Sequence, residues 1–335
     1  MKKFFFIWCF ASQFSFAQEK PQYTQYIFNT LLLNPAVSGI ENYTDVKAGY
    51  RSQWTGLQGA PVTSFLTVSM PIGNKFTEGD PTGFPEATSE YDLSKTYNQN
   101  YSAAGPHHGI GLMVVSDHTG PISQTNIDAT YAYHLVLATK VNLAVGVMAG
   151  LSDVSLNTAA ITTEVAYDPA IANGNNSQWK PDLGAGVWLY AGDYYFGVSA
   201  QQLLPQNSFS ETNNKFDQIK PTPEFFLTSG VKLPLTDDIS FLPSFLVKAI
   251  NPEPLAVDLN SKISFQDKFW MGVSYRVGDS FGVLAGVNIN SFINVGYSYD
   301  ITTSALNTVS NGTHEIVINL LLNNRHKVTC PQRQF

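Results

Sequence analysis

Apolar and polar side chains alternate with a period of two along most of the chain. From Ile127 to Leu137, one set of alternate positions is apolar, and the other carries mainly small or polar residues such as Asp128 and His134. Successive side chains of a β-strand point to opposite faces, so this pattern predicts strands with one face in an apolar medium. The predicted strands lie near residues 45–54, 63–72, 108–117, 125–137, 141–153, 182–191, 194–202, 223–234, 239–249, 255–265, 269–277, 281–290, 292–302 and 313–323.

The chemistry of the second face indicates which medium surrounds these strands. It consists mostly of Gly, Ser, Thr and Asn, which are too small and too weakly charged for the water-covered surface of a soluble β-protein. A transmembrane barrel has tilted strands of about nine to eleven residues with a lipid-facing apolar side, and single-chain bacterial barrels have an even number of them. The sequence therefore predicts an all-β fold, a transmembrane antiparallel β-barrel of about 14 strands.

The composition supports a membrane-embedded surface. Charged residues make up 13% of the chain, whereas they form roughly a quarter of a typical soluble domain. The formal net charge is −7 and Lys and Arg do not cluster, which argues against nucleic acid as a partner. After the first residues, no apolar run approaches the roughly 18 residues that a transmembrane helix requires. Strands are therefore the predicted membrane-crossing elements.

The N-terminus has the features of a secretory signal peptide. Lys2 and Lys3 precede an apolar, Phe-rich stretch over residues 4–16, and small residues at Ser15 and Ala17 suit cleavage after Ala17. We expect residues 1–17 to be removed, which leaves 17 of the 19 basic residues against 26 acidic ones. Of the two cysteines only Cys330 then remains, so no intramolecular disulfide is expected.

The connections between the predicted strands differ in length. The short ones lie near residues 138–140, 192–193, 235–238, 266–268 and 291. The long ones lie near residues 73–107, 154–181, 203–222 and 303–312. Short turns on the periplasmic side and long loops on the extracellular side are typical of these barrels, so we assign the two groups accordingly.

Aromatic residues near the ends of several strands suit the interfacial girdles of a membrane barrel. Ordinary packing against neighbouring strands is the alternative interpretation. The candidate girdle residues are Tyr190, Tyr194, Tyr195, Phe269, Trp270, Tyr297 and Tyr299.

The sequence contains no convincing catalytic or metal-binding motif. Its histidines lack zincin spacing, and neither a Gly-x-Ser-x-Gly elbow nor a Walker loop is present. Asp128 and His134 share one strand face and could form a charge-relay pair with a serine from elsewhere, but such residues inside a barrel usually form structural networks. The neighbouring His107 and His108 should point to opposite faces, which disfavours a shared metal. We expect no enzyme activity, metal or cofactor, and we expect a group of charged residues to pair within the lumen: Lys232, Asp258, Lys262, Arg276 and Asp300.

The region after the signal peptide departs from the strand pattern and carries several short polar strings. Residues 22–29 contain Gln-x-x-Gln-Tyr-x-x-Asn, and residues 34–39 read Asn-Pro-Ala-Val-Ser-Gly. Tyr-Arg-Ser-Gln-Trp follows at residues 50–54, and Gly-Ala-Pro at residues 59–61. Asn34-Pro35 is a turn signal that prevents a helix at Asn34. These strings suggest a short ordered segment packed at the mouth of the barrel.

Taken together, these strings resemble the PorP/SprF family of Bacteroidetes outer-membrane proteins, and residues 180–186, 312–316 and 330–331 also look familial. The resemblance implies a non-enzymatic role in type IX secretion, which in some species supports gliding motility. The implied partners are a secreted adhesin-like client and periplasmic or outer-membrane apparatus proteins. The residues of the family strings, which are candidates for partner contact, are Gln25, Tyr26, Asn29, Asn34, Pro35, Gly39, Arg51, Trp54 and Pro61.

The sequence thus predicts four regions in an outer-membrane protein. They are the signal peptide at 1–17, a periplasmic or plug-like segment at 18–43, the barrel at 44–323 and a C-terminal tail at 324–335. The alternative function is a passive porin or a transporter of hydrophobic solutes. A barrel enzyme would be a third class, and no constellation of residues supports it.

Overall fold

The computed structural model describes residues 24–73, 101–157, 177–204 and 222–324. Within these ranges, 14 strands form a closed antiparallel barrel. Three 3₁₀ helices accompany them, at Thr30–Leu32, Pro35–Val37 and Ala305–Thr308. The strands are β1 (Thr44–Ser52), β2 (Val62–Ile72), β3 (His107–Thr119), β4 (Ile122–Ala138), β5 (Val141–Leu156), β6 (Ser177–Ala191), β7 (Tyr194–Gln201), β8 (Glu224–Val231), β9 (Ile239–Ile250), β10 (Ala256–Phe265), β11 (Phe269–Arg276), β12 (Ser280–Asn288), β13 (Ile293–Thr302) and β14 (Thr313–Leu322).

Every strand pairs with the strands that precede and follow it in the chain. The barrel closes where β1 pairs with β14, in a register that runs from Thr44 opposite Leu322 to Ser52 opposite His314. A two-residue segment, Leu233–Pro234, pairs with the beginning of β9 and extends that hairpin. The predicted fold is confirmed, and the predicted strand bounds agree to within a few residues. No helix in the described ranges is long and apolar enough to cross a membrane.

The two faces of the wall differ as the alternation predicts. Buried and exposed residues alternate strictly along β14, where Glu315 and Asn319 point inward while Ile316 and Ile318 point outward with 42% and 44% exposure. Because exposed large apolar residues recur around the whole wall, the outer surface forms an apolar belt that suits lipid.

Part of the predicted aromatic girdle is wrong. Tyr190, Tyr195 and Trp270 are buried inside the barrel, where Tyr195 stacks on Trp188 with 4.8 Å between the ring centroids. These large rings fill space above small inward residues; for example, Trp270 covers Gly286. The remaining candidates are outward: Tyr194, Phe269 and Tyr297 are exposed and Tyr299 is half-exposed.

The connection at 73–106 contradicts the predicted assignment of loops. We call the end at which β1 begins and β14 ends the terminal end, and the opposite end the far end. The antiparallel order places the connection between β2 and β3 at the terminal end, together with the short turns at 139–140 and 192–193. Residues 74–100 of this connection lie outside the described residues. One long connection therefore shares an end with the short turns.

Residues 24–43, named here the inner segment, lie inside the barrel. Nearly all of them are buried, and they form hydrogen bonds with residues of β1, β2, β4, β6, β7, β10 and β14. The segment runs from the far end, where Thr24 lies, to the terminal end, where β1 begins. Residues 18–23 of the predicted segment lie outside the described residues, and its role as a plug stays a prediction.

Candidate functional site: the barrel interior

The leading end of the inner segment is held by a buried charge network. The Arg51 guanidinium on β1 lies 2.7 Å from Glu315 on β14 and 3.2 Å from Asp300 on β13. The backbone N–H of Thr24 donates to Glu315 at 3.0 Å, and its hydroxyl donates to Asp300. Arg51 also donates to the Thr24 hydroxyl at 3.0 Å. This network joins the segment to three strands on both sides of the closure between β1 and β14.

The next residues of the segment use neutral side chains. Gln25 donates to a backbone carbonyl of β14 at 2.9 Å, and the Tyr26 hydroxyl accepts a 2.6 Å bond from Asn260. Asn29 donates to the Thr67 hydroxyl at 3.1 Å. Burial raises the pKa of Tyr26 well above its usual value, and the neighbouring Tyr195 and Asp258 add to this effect. The phenol is therefore held in its neutral form.

Asn34 organises the turn that follows. Its Oδ1 accepts the N–H of Ala36 at 2.9 Å, which caps the short 3₁₀ helix that begins at Pro35. Its Nδ2 donates to the carbonyls of Val187 and Val198 at 3.0 and 3.1 Å. One side chain thus shapes the turn and fastens it to β6 and β7, which explains why Asn precedes Pro here.

The end of this turn is fixed by residues from β2, β3 and β4. Gly39 has φ +72°, a left-handed conformation that suits glycine, and its N–H donates to Ser69 at 2.8 Å. His134 Nε2 lies 2.8 Å from the Ser38 carbonyl, and His107 Nε2 lies 3.2 Å from the Gly39 carbonyl. Since a carbonyl only accepts, the His134 imidazole donates at Nε2. Both ring nitrogens of His107 face carbonyls, because its Nδ1 also lies 2.8 Å from that of Gly105.

The wall also binds main-chain atoms of the segment directly. Ser199 donates to the Leu33 carbonyl at 2.5 Å, and Gln201 donates to the carbonyls of Leu32 and Leu33 at 3.0 Å. Neither wall residue was among the predicted site residues. The signal that could have found them is the alternation along β7, where Ser199 and Gln201 alternate with Val198 and Ala200.

Glycines of the wall make room for the segment. A Cβ at Gly146 would collide with the backbone of Ala36, and one at Gly186 would collide with the Asn34 side chain. A Cβ at Gly109 would likewise collide with the Ser38 carbonyl. The close approach of segment and wall therefore depends on these strand glycines.

Apolar side chains of the segment and the wall form a core within the barrel. A cavity beside Tyr26, Phe226 and Leu246 has a volume of about 50 Å³, which holds only a few water molecules. The members of the core are Tyr26, Ile27, Phe28, Leu31, Leu32, Leu33, Phe65, Met113, Val115, Met148, Phe226, Leu246, Trp270, Leu284 and Val317.

Most of the predicted lumen charges pair as expected. Arg276 binds Asp258 through two hydrogen bonds of 2.9 and 3.1 Å, and Asp300 binds Arg51. Lys262 lies 5.4 Å from the centre of the Trp270 ring, which is a cation–π distance.

Lys232 is the exception among the predicted lumen charges. It follows β8 at the terminal end and lines a surface cavity of about 350 Å³ that also contains Asp193 and Asp267. Burial lowers its pKa, and those two aspartates partly oppose the shift. The strand ends at Val231, so Lys232 lies just beyond it, and its role as a paired lumen charge stays a prediction.

The histidines take structural positions. His134 does not act as a relay partner of Asp128 in this arrangement, since its Nδ1 lies 2.9 Å from the Tyr190 hydroxyl and its Nε2 binds Ser38. His107 points inward and stacks on His134 with 4.3 Å between ring centroids, whereas His108 points outward, as predicted. Among the described residues, no group of three or more His, Cys, Asp or Glu could hold a metal ion.

The structure separates the nine family-string residues into two sets. Gln25, Tyr26, Asn29, Asn34, Pro35, Gly39 and Arg51 are buried inside the barrel. Trp54 and Pro61 lie in the connection between β1 and β2 at the far end, where both are half-exposed. The Trp54 N–H donates to Thr313 at 3.1 Å. Contact of any of the nine with a partner protein stays a prediction.

This barrel is similar to barrels of known structure, and its sequence matches a known family. Similar solved structures include the CymD monoaromatic hydrocarbon channel (10% identity, 88% of this chain and 91% of that chain, TM-score 0.45). The translocator domain of the autotransporter NalP from Neisseria meningitidis is also similar (13% identity, 88% and 91%, TM-score 0.39). No curated protein matches the chain. The family described as "Type IX secretion system membrane protein PorP/SprF" matches residues 15–320. The chain therefore belongs to the PorP/SprF family of type IX secretion membrane proteins and is an outer-membrane β-barrel.

Proposed function

We propose that this protein acts in type IX secretion as a closed barrel that assists the export or surface attachment of a secreted, adhesin-like client. In this role it contacts periplasmic apparatus proteins at the terminal end and the client at the far end. Members of the family are membrane components of a secretion system, and the family is not an enzyme family. The proposed role is therefore non-enzymatic.

The observation that carries the proposal is the burial of the inner segment. Thr24, Gln25, Asn34 and Ser38 are each at most 3% exposed, and their hydrogen bonds reach β1, β4, β6, β7, β13 and β14. A passive porin needs a continuous aqueous path through its lumen. An apolar core around Leu31 and Phe65 lies inside the barrel, and this supports a protein-handling role over the alternative of a porin or solute transporter.

The proposal is tested by conductance and by gene deletion. The purified full chain in a planar lipid bilayer should show no steady conductance, with an open porin of known conductance as the positive control. Deletion of the gene should remove a secreted protein from the cell surface while the uptake of small solutes stays normal. Steady ohmic conductance together with impaired solute uptake and normal surface proteins would establish the porin instead.

A chain with the inner segment locked in place sharpens this test. The Ser38 and Thr130 hydroxyl oxygens are 2.6 Å apart, so the pair Ser38→Cys and Thr130→Cys, in a Cys330→Ser background, is suited to a disulfide. If the closed barrel is the working form, the locked chain should restore surface display of the client in the deletion strain. Failure of the oxidised chain, with success of the same chain when reduced, would show that the segment must move.

A further inference from the structure

Two clusters on the outer wall share one unusual geometry. At the terminal end, His108 of β3 lies directly opposite Tyr133 of β4, and their ring centroids are 4.8 Å apart. The hydroxyl of Tyr131, two residues before Tyr133, lies 2.7 Å from His108 Nδ1. All three side chains point outward, and His108 and Tyr131 are exposed.

The far end carries the same arrangement on other strands. His314 of β14 lies directly opposite Tyr299 of β13, with ring centroids 4.9 Å apart. The Tyr297 hydroxyl lies 2.7 Å from His314 Nδ1. His314 and Tyr297 are exposed, and outward neighbours such as Ile316 belong to the apolar belt. We call these two groups the His–Tyr clusters.

The direction of each cluster follows from the strand order. β4 runs toward the terminal end, so Tyr131 lies closer to the middle of the belt than Tyr133. β13 runs toward the far end, so Tyr297 lies closer to the middle than Tyr299. In both clusters, the tyrosine that binds Nδ1 is therefore on the mid-belt side. The tyrosine hydroxyl thus binds each imidazole from the mid-belt side, and Nε2 is the remaining polar atom of the ring.

The hydrogen bond at Nδ1 bears on the chemistry at Nε2, because a tyrosine hydroxyl can either donate or accept. When Nδ1 of a neutral ring accepts from the hydroxyl, the hydrogen resides on Nε2, and a protonated ring carries a hydrogen on both nitrogens. Nε2 is a donor in these two states and an acceptor only when a neutral ring donates at Nδ1. Within the described parts of the chain, no protein group binds Nε2 of His108 or His314. A donor at the hydrocarbon boundary requires an acceptor from outside the protein.

We propose that the two His–Tyr clusters bind the phosphates of membrane lipids, one cluster at each face of the outer membrane. The tyrosines position the imidazole, and Nε2–H donates to a phosphate oxygen, which is a strong charged acceptor. This binding site is independent of the proposed role in secretion.

The test uses the purified full chain in a nonionic detergent and measures bound lipid by native mass spectrometry. The probes are phosphatidylglycerol and lipid A, each paired with a phosphate-free counterpart: diacylglycerol with the same chains and dephosphorylated lipid A. The double variant His108→Ala, His314→Ala should bind the phosphate lipids about tenfold more weakly, because one charge-assisted hydrogen bond is lost per site. Binding of the phosphate-free lipids should not change.

Two further variants separate the cluster from its parts. Tyr131→Phe with Tyr297→Phe keeps both rings but removes the hydroxyls, and it should give a smaller loss of the same kind. His118→Ala is the matched control for the tyrosines. This outward histidine of β3 also bonds a hydroxyl at Nδ1, that of Ser123, but has no tyrosine there to position its ring, so its effect should be smaller than that of either cluster histidine.

Three results would overturn the proposal. An unchanged affinity in the double variant would show that the histidines do not contact the lipid. An equal loss for phosphate-free lipids would assign them to apolar packing. Saturable binding of inorganic phosphate alone, lost in the double variant, would show that the ligand is free phosphate and not a lipid headgroup.

Discussion

The inner segment is fastened differently at its leading end and at the Asn34 turn. At the leading end, Arg51 and two carboxylates supply formal charges that are all buried. At the turn, Asn34 and Ser199 form only neutral hydrogen bonds, and wall glycines such as Gly146 let the backbones touch. The first attachment depends on charge balance, and the second on shape.

This difference predicts how each attachment fails. When one member of a buried ion network is removed, the charges left behind cannot be solvated, so the loss exceeds the value of the bond itself. When a neutral side chain is removed, only a few bonds of roughly 1 kcal/mol each are lost. The leading end should therefore be the more sensitive of the two.

The largest expected effect comes from Arg51→Ala. Because Asp300 and Glu315 would stay buried without their cation, we expect the free energy of unfolding to fall by about 3–5 kcal/mol. Urea unfolding of the refolded barrel in detergent measures this. Lys268→Ala is the control, since Lys268 is an exposed cation in the turn between β10 and β11. A loss for Arg51→Ala no larger than the control would mean that charge does not hold the leading end.

An intermediate effect is expected for Asn34→Ala. The change removes the cap on Ala36 and two bonds to strand carbonyls, so stability should fall by about 2 kcal/mol. Asn290→Ala provides the comparison, because Asn290 also caps two backbone N–H groups but in an exposed turn where water can replace it. Equal losses in the two variants would remove the argument that the Asn34 turn is fixed by its burial.

The smallest expected effect concerns pH. It involves Tyr26, which lies between the two attachments. The raised pKa of Tyr26 means that the folded chain keeps the phenolic proton after the unfolded chain has lost it near pH 10. Stability should therefore be unaffected below pH 10 and should fall above it, by at most about 1.4 kcal/mol per pH unit from this group. The decline between pH 10 and 11 should be shallower in Tyr26→Phe, measured by the same urea unfolding. Identical slopes would show that Tyr26 ionises freely.

The strands could be predicted because successive side chains of a membrane strand face lipid and lumen in turn. Apolar and polar residue types therefore alternate along the sequence. In β11, for example, Met271 and Val273 alternate with Gly272 and Ser274, and the structure has these on opposite faces. The same alternation already placed Trp270 on the inner face with Gly272. The prediction that Trp270 belongs to the girdle was wrong because it relied only on the position of the residue near a strand end. Inside the barrel, large side chains are needed to fill the space above the glycines of the wall.

The site was harder to predict because the partners of its residues in the barrel wall are distant in the sequence. Gln25, Asn29 and Asn34 are polar and resemble surface residues until the wall around them is known. Their partners lie 290, 38 and 153 residues away, and no local pattern connects positions so distant. The inward glycines of β5 and β6 were the available sign that something fills the lumen, but they do not say which segment does.

The position of Thr24 has a consequence for the order of assembly. Its acceptors, Glu315 and Asp300, belong to the last two strands and lie 291 and 276 residues later in the chain. These bonds cannot form until β13 and β14 have been added, and contacts between such distant residues form slowly. Because the wall is sealed by the pairing of β14 with β1, the earliest described residues and the final hairpin complete the molecule in a single late event.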